Sequence, residues 1–163
     1  MAERGRYNPY QLYFDLSGRP QEVARHVHKL QEHIPARSPA DIAGYLMQHI
    51  YTPFETFTQE ELWVLLLNAR NSITHQAMIY RGTINTIHVR VAELYRSAVR
   101  ENAASIVLSH CHPTGDPEPS YEDVRVTSMA HEAGQLLDIT LLDHIIVGNA
   151  AWVSLKEKGL GFT

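Results

Sequence analysis

The chain has 163 residues and one Cys, the make-up of a single globular domain without an internal disulfide. With 14 Lys and Arg against 18 Asp and Glu, the formal net charge of −4 removes the usual electrostatic basis for nucleic-acid binding, which needs a basic face. We expect no membrane contact and a cytoplasmic location, because no apolar run reaches the roughly 18 residues of a membrane span and the first residues lack a signal-peptide pattern.

Residues 1–37 are predicted to form a helical extension. Pro20 suits a first helical position, where its missing N–H group needs no partner. The apolar residues that follow recur at spacings of four, three and four, which predicts one stripe on a helix: Val23, Val27, Leu30 and Ile34. An apolar stripe must be buried. It packs either on the sheet of this chain or on a second copy or partner protein, so this helix is also a candidate homodimer interface.

From residue 38 onward, helices and strands are predicted to alternate. Ser38, Pro39 and Asp41 suit the N-cap, N1 and N3 positions of a second helix. The continuous apolar run over residues 62–67 predicts a strand that is buried on both faces. The segments predicted next are a strand over 73–80, a short strand over 84–88, a helix over 91–102, a strand over 105–108, a loop over 109–119, a helix from Ser120 and a strand over 139–147. Such alternation predicts an α/β or α+β layered domain.

A candidate metal site follows the predicted strand 105–108. In an extended segment, residues i and i+2 point to the same side, so His110 and His112 can meet one metal ion while Cys111 points away. Ser120 and Asp123 are three residues apart at a predicted helix start, so both can face the histidines. Two imidazoles and one carboxylate, with a fourth position open to water, are the ligands of a catalytic zinc site.

A catalytic zinc site also needs a general base that is not a ligand. Glu60 and Glu61 begin the strand that contains the apolar run, and only one of two adjacent strand residues can face the metal. A purely structural interpretation stays open, because Ser120 and Asp123 also form an ordinary capping box. Backbone carbonyls in a loop can likewise satisfy a pair of histidines.

Other residues of catalytic type are left outside the site. His131 and Glu132 begin like a metalloprotease zinc helix, but Gln135 stands where a second His is required. Cys111 is expected to be a small buried apolar residue rather than a nucleophile. The pair Asp143-His144 has two interpretations, support of the metal site or a hydrogen-bonded feature of the core, and the sequence does not decide between them.

The chain resembles a known family at these positions. His110-x-His112, seven further residues and then Ser120-x-x-Asp123 match the JAMM motif of the JAB/MPN metalloproteases. Further segments resemble the RadC-like branch of that superfamily: Arg81-Gly82-Thr83, His88, Asn102-Ala103-Ala104, the run over 112–120 and Leu142-Asp143-His144-Ile145-Ile146-Val147-Gly148. The resemblance divides the chain into the N-terminal extension, 1–37, and a JAB/MPN (RadC-like) metalloprotease domain, 38–163.

The resemblance implies a fold and a chemistry. The fold would be α/β (α+β), a JAB/MPN-like curved mixed β-sheet with flanking helices in cytidine-deaminase-like layering. The site would hold Zn²⁺ on His110, His112 and Asp123, with Glu60 as general base and Ser120 as hydroxyl donor to the tetrahedral oxyanion. The reaction would be hydrolysis of a peptide or isopeptide bond by a metal-activated water. Its substrate would be a protein or peptide, with a deubiquitinase-like reaction on a ubiquitin-like conjugate as one form.

A second interpretation is a RadC-type module associated with DNA repair, or a protein-binding scaffold, without peptidase turnover. Full-length RadC-like proteins usually begin with a helix-hairpin-helix DNA-binding region. Residues 1–37 lack its Gly-centred hairpins. The main sequence argument for nucleic acid as a partner is therefore missing here.

Overall fold

The computed structural model describes residues 27–82 and 89–163. Its strands are β1 (His28–Pro35), β2 (Glu60–Leu67), β3 (Ser72–Gly82), β4 (Ser105–Cys111), β5 (Thr140–Val147) and β6 (Trp152–Ser154). Its helices are α1 (Pro39–Tyr45), which continues as a π-helical turn (Leu46–Ile50), α2 (Val91–Arg100) and α3 (Tyr121–Leu137), and a short 3-10 turn covers Phe54–Thr56. The sheet order is β1-β3-β2-β4-β5-β6, with β4 and β5 parallel and all other neighbours antiparallel. The predicted fold class, a mixed sheet with flanking helices, is confirmed.

Helices cover both faces of the sheet. Alternate residues of the central strand β2 belong to different cores: Leu62, Val64 and Leu66 pack with α2 and α3, whereas Leu65 and Leu67 pack with α1. We call these sides the α2/α3 face and the α1 face. Because both are covered, the apolar run of β2 is continuous rather than alternating, as the sequence predicted.

The start of α1 follows its predicted capping pattern. The Ser38 side chain accepts a hydrogen bond from the Asp41 backbone N–H, and the Asp41 carboxylate accepts one from the Ser38 N–H. Pro39 occupies the first turn, where it removes no helical hydrogen bond. The predicted helix start is therefore confirmed.

The helix predicted for the N-terminal extension is wrong over residues 28–35, which form the edge strand β1 beside β3. Leu30 and Ile34 pack against the core of the α1 face, whereas Val27 packs against the core of the α2/α3 face. A spacing of four fits one face of a helix and one face of a strand equally well, but a spacing of three changes the face of a strand. Pro20 and Val23 lie outside the described residues.

Two further differences concern strand limits. β4 continues through Cys111, so the loop begins at His112 rather than at residue 109. The three-residue strand β6 was not predicted. The predicted strand over 84–88, with His88, lies outside the described residues. Within 27–82 and 89–163, no helix combines the length and the apolar character that crossing a membrane requires.

β5 contains a bulge that matters for the site. Its pairing with β4 skips one residue, because Ile106 pairs with Leu141 and Val107 pairs with Asp143. Regular alternation would put Leu141 and His144, which are three residues apart, on opposite faces. The extra residue, Leu142, changes the alternation, so that both lie on the α2/α3 face.

Candidate metal centre

His110, His112 and Asp123 come together at the carboxyl end of β4. The Nε2 atoms of the two histidines lie 3.0 Å apart. Nε2 of His110 lies 3.1 Å from Oδ1 of Asp123, and Nε2 of His112 lies 3.5 Å from Oδ2. One ligand-type atom from each of the three residues thus lies within 4.8 Å of the other two. Among the described residues, this is the cluster that could hold a metal ion.

Strand β4 and the loop after it orient the two histidines. His110 pairs with Leu62 of β2, a residue of the α2/α3 face, so its side chain faces that side. The backbone N–H of His112 donates to the carbonyl of Val147, which extends the contact with β5 beyond the end of β4. Nδ1 of His112 lies 2.9 Å from the backbone carbonyl oxygen of Asp116. A carbonyl oxygen only accepts, so this Nδ1 carries a proton, and in the neutral ring the lone pair is on Nε2.

Asp123 is fixed by the first turn of α3. Its backbone N–H donates to Oγ of Ser120, and its Oδ2 accepts from the Ser120 N–H at 2.7 Å. Burial tends to raise the pKa of Asp123, but the neighbouring imidazoles of His110 and His112 outweigh it and hold the pKa well below its ordinary value. The hydrogen bonds of the capping box therefore also hold Asp123 in its orientation toward the histidines.

The donor set fits a zinc ion. Zinc takes imidazole nitrogen and carboxylate oxygen at about 2.0–2.2 Å in tetrahedral geometry, which separates neighbouring ligand atoms by about 3.3 Å. Three of the separations between donor atoms here are 3.0, 3.1 and 3.5 Å. Asp123 is 1% exposed and the side chain of His110 is fully buried, so a bound ion would be shielded from solvent on that side.

Glu60 and Glu61 lie on opposite faces. Glu60 precedes Leu62 by two positions, and Leu62 pairs with His110, so continuing the register puts Glu60 across from His112 on the α2/α3 face. The charge of Glu60 contributes to raising the pKa of His112, which indicates that the two are close. Glu61 is 1% exposed. Its Oε2 accepts from Nε1 of Trp63 at 2.9 Å, and its Oε1 lies 3.6 Å from Nε of Arg81.

His144 is a site neighbour whose role the sequence left open. Its Nε2 lies 2.8 Å from Nδ1 of His110, and its Nδ1 lies 2.6 Å from Oγ1 of Thr127. Burial holds the pKa of His144 well below its ordinary value, and the charge of His110 lowers it further. Sequence reasoning missed Thr127, because a Thr inside a helix carries no signal of its own.

Asp143 lies on the other face and serves the fold. Its Oδ2 accepts from the Ser154 hydroxyl at 2.6 Å, and its Oδ1 accepts from the backbone N–H groups of His144 and Lys156. Burial raises the pKa of Asp143 despite these hydrogen bonds. The two neighbours therefore have different roles. His144 lies beside the cluster of possible metal ligands, whereas Asp143 joins β5 to β6 and to the turn after β6.

Cys111 and His131, the other residues of catalytic type, do not take part in the cluster. Cys111 is fully buried in the core of the α1 face. Burial raises the pKa of its thiol to about 12, so it is a poor source of thiolate. His131 contacts Gln135 on its own helix and the ring of Phe162.

The loop that carries Asp116 packs tightly on the turn after β5. The backbone N–H of Asn149 donates to the carbonyl of Gly115 at 2.9 Å. A Cβ atom built on Gly148 would overlap that same carbonyl oxygen. Gly148 therefore permits a close backbone approach that brings the Asp116 carbonyl to His112.

Comparison with known proteins agrees with this geometry. The family model described as the RadC-like JAB domain matches residues 36–160. This range contains the three clustered side chains as well as Glu60 and His144.

Curated relatives of this chain share the designation UPF0758. A UPF0758 protein of Chloroflexus aurantiacus is 43% identical over 133 residues, covering 82% of this chain and 56% of the relative. UPF0758 protein YsxA of Bacillus subtilis is 40% identical over 140 residues, covering 85% of this chain and 59% of the relative. A similar protein of Bacillus licheniformis is 41% identical over 140 residues. The chain thus spans a little over half of the length of these relatives. It belongs to the RadC-like JAB family.

Proposed function

We propose that this chain is a zinc-dependent hydrolase that cleaves a peptide or isopeptide bond. The observation that carries the proposal is the convergence of two imidazole nitrogens and one buried carboxylate at 3.0–3.5 Å. Such a set leaves the fourth tetrahedral position for water or substrate, which distinguishes a catalytic zinc site from a closed structural one.

The residues around the cluster have separate roles in the proposal. When bound, zinc lowers the pKa of a water ligand to about 7 and polarises a carbonyl oxygen. Glu60 receives the proton of the attacking water and delivers it to the leaving amine. Ser120 uses its oxygen to cap α3 and so keeps its O–H hydrogen for the oxyanion that forms on the substrate carbonyl.

Substrate access favours the same roles. Of the three clustered side chains, His112 is the most exposed, at 14%, whereas those of His110 and Asp123 are at 0% and 1%. A substrate therefore approaches from the side of His112, and Glu60, which is partly exposed, lies across from this residue. An extended chain end that carries an amide, such as the tail of a ubiquitin-like conjugate, suits a partly exposed site of this kind.

The test incubates zinc-loaded protein with ubiquitin-like fusions and isopeptide-linked conjugates. Mass spectrometry measures the release of product. The matched control is Glu60→Gln, which keeps the size of the side chain and removes the base. Turnover by the unmodified chain that Glu60→Gln abolishes, with zinc still bound, supports the proposal.

The opposite outcome is equally defined. Full zinc occupancy without turnover on any of these substrates would favour a binding scaffold without peptidase activity. Turnover that survives in Glu60→Gln would contradict the role of Glu60. A chain that binds no zinc would contradict the proposal as a whole.

A further inference from the structure

Two side chains, those of Thr127 and His144, connect the backbone of α3 to the imidazole of His110 through three hydrogen bonds. Oγ1 of Thr127 lies 2.6 Å from the backbone carbonyl oxygen of Asp123, one helical turn earlier. The same Oγ1 lies 2.6 Å from Nδ1 of His144. Nε2 of His144 lies 2.8 Å from Nδ1 of His110. The series begins at the backbone of one clustered residue and ends at the side chain of another.

The donor and the acceptor of each hydrogen bond in this series can be assigned by starting from the carbonyl of Asp123. The carbonyl of Asp123 only accepts, so the single hydroxyl hydrogen of Thr127 points toward it. Oγ1 of Thr127 then accepts from His144, which puts the proton of a neutral His144 on Nδ1. Nε2 of His144 is therefore an acceptor, and Nδ1 of His110 donates to it. This leaves the lone pair of His110 on Nε2, the atom nearest His112 and Asp123.

We propose that His144, held by Thr127, is a positioning residue that fixes the tautomer and the ring orientation of His110 for metal binding. The inference rests on the proposed zinc site. A ligating imidazole binds through one nitrogen, and the partner of its other nitrogen selects which one that is. His144 provides this partner from β5, and Thr127 keeps His144 itself in the accepting tautomer.

A role in packing alone would need none of these proton positions. His144 is 1% exposed and Thr127 is fully buried, so either side chain could be explained as core filling. Core filling, however, does not require three successive polar contacts of 2.6–2.8 Å in one series. A test must therefore separate metal affinity from stability.

The first measurement is zinc affinity by competition with a chromophoric chelator, together with the melting temperature (Tm) of the metal-free protein. Thr127→Val is nearly isosteric and removes the hydroxyl, and we expect it to weaken zinc binding about tenfold. For His144→Leu we expect a loss of about 10–100-fold, as for other partners of metal ligands. Thr127→Ser restores the hydroxyl and should restore the affinity.

The matched control is Thr74→Val. Oγ1 of Thr74 also donates to a backbone carbonyl, that of Leu66, and also contacts an imidazole, that of His75, but outside the metal cluster. The zinc affinity of the Thr74→Val variant should equal that of the unmodified protein. Equal affinity in Thr127→Val and His144→Leu as well, with only Tm lowered, would overturn the proposal and leave the zinc site standing.

The second measurement needs no variant, so it still decides the question if His144→Leu fails to fold. Long-range nitrogen–proton correlation spectra of zinc-loaded protein with ¹⁵N-labelled histidine identify the tautomer of His144. We expect a proton on Nδ1 and none on Nε2. A His144 protonated on Nε2 would overturn the proposal. If the unmodified chain binds no zinc at all, the proposed function fails first and this inference with it.

Discussion

The Nε2 atoms of His110 and His112 face each other at 3.0 Å, and each ring uses its other nitrogen for a hydrogen bond within the chain. Two lone pairs at this distance repel unless a cation lies between them. Without a metal ion, a proton on one of these nitrogens would relieve the repulsion. Burial lowers the pKa of His112, but the hydrogen bond to Asp123 and further acceptors and charges outweigh it, so the net shift is upward. Zinc binding would therefore displace a proton.

The first prediction concerns metal content. Purified protein should hold one Zn²⁺ per chain, and His110→Ala, His112→Ala and Asp123→Asn should each remove most of it, because each removes one of three protein ligands. Elemental analysis after dialysis measures this. His131→Ala, which changes a histidine outside the cluster, is the control and should retain zinc. Equal zinc in all five proteins would contradict the ligand assignment.

The second prediction concerns pH. Because the pKa of His112 in the metal-free chain is raised, the protonated ring persists to a higher pH than an ordinary histidine, for which the pKa is about 6.5. Zinc affinity should therefore fall as the pH drops through this raised value, and the fall should begin above that of an unperturbed histidine. Chelator competition between neutral and mildly acidic pH measures it. An affinity that stays constant until well below pH 6.5 would contradict the shift.

The third prediction separates the adjacent glutamates. Glu60→Gln should reduce turnover by about 10²–10⁴-fold, the usual contribution of a general base, with zinc content and Tm unchanged. Glu61→Gln should leave the chemistry in place but lower the free energy of unfolding by about 1–3 kcal/mol, because it removes a buried charge from its contact with Arg81. Turnover assays and thermal denaturation on both variants measure this. The reverse pattern would mean that the register of β2 differs from the one described.

The fourth prediction separates the two roles of Ser120. A glycine at the N-cap costs only a few tenths of a kcal/mol relative to serine, so Ser120→Gly should be nearly as stable as the unmodified protein. It should nevertheless lose about 10²–10³-fold in turnover, because the hydroxyl donor is absent. Ser120→Thr keeps the hydroxyl and serves as the control. If Ser120→Gly is fully active, Ser120 is a helix cap and nothing more.

The fifth prediction concerns the loop that supports His112. Gly148→Ala would place a methyl group against the carbonyl oxygen of Gly115, so the loop must move and the Asp116 carbonyl with it. The loss in the free energy of zinc binding should exceed the loss in the free energy of unfolding. Gly44→Ala is the matched control, because a Cβ there meets no atom within 4 Å, and it should stabilise α1 by about 0.5–1 kcal/mol. Unchanged zinc binding in Gly148→Ala would show that the loop does not orient His112.

Features that depend on local spacing were predictable from the sequence. The alternation of β4 directs His110 to one face and Cys111 to the other, and the capping box at the start of α3 needs only residues 120–123. In each case the residues that determine the geometry are sequence neighbours. The positions of these side chains could therefore be predicted before any strand pairing was known.

Features that depend on pairing between strands were not predictable. The spacing of Leu30 and Ile34 fits a helix and a strand equally well. The segment is a strand because it pairs with β3, and the local sequence does not show this pairing. Glu60 and Glu61 are equivalent candidates until the register with β4 assigns each to a face. Likewise, nothing in the sequence around Asp143 and His144 reports the bulge one residue earlier.

That bulge determines which residue of β5 reaches His110. If Leu142 paired with Val107 in a regular ladder, Asp143 would lie opposite Leu108 and face His110, while His144 would turn toward α1. A carboxylate there would still accept from Nδ1 of His110, but it would bring a second negative charge close to Asp123 in a buried space. The same sequence, without the bulge, would thus exchange a neutral acceptor for an anionic one. A one-residue shift of this register is therefore more disruptive to the site than most substitutions along the strand.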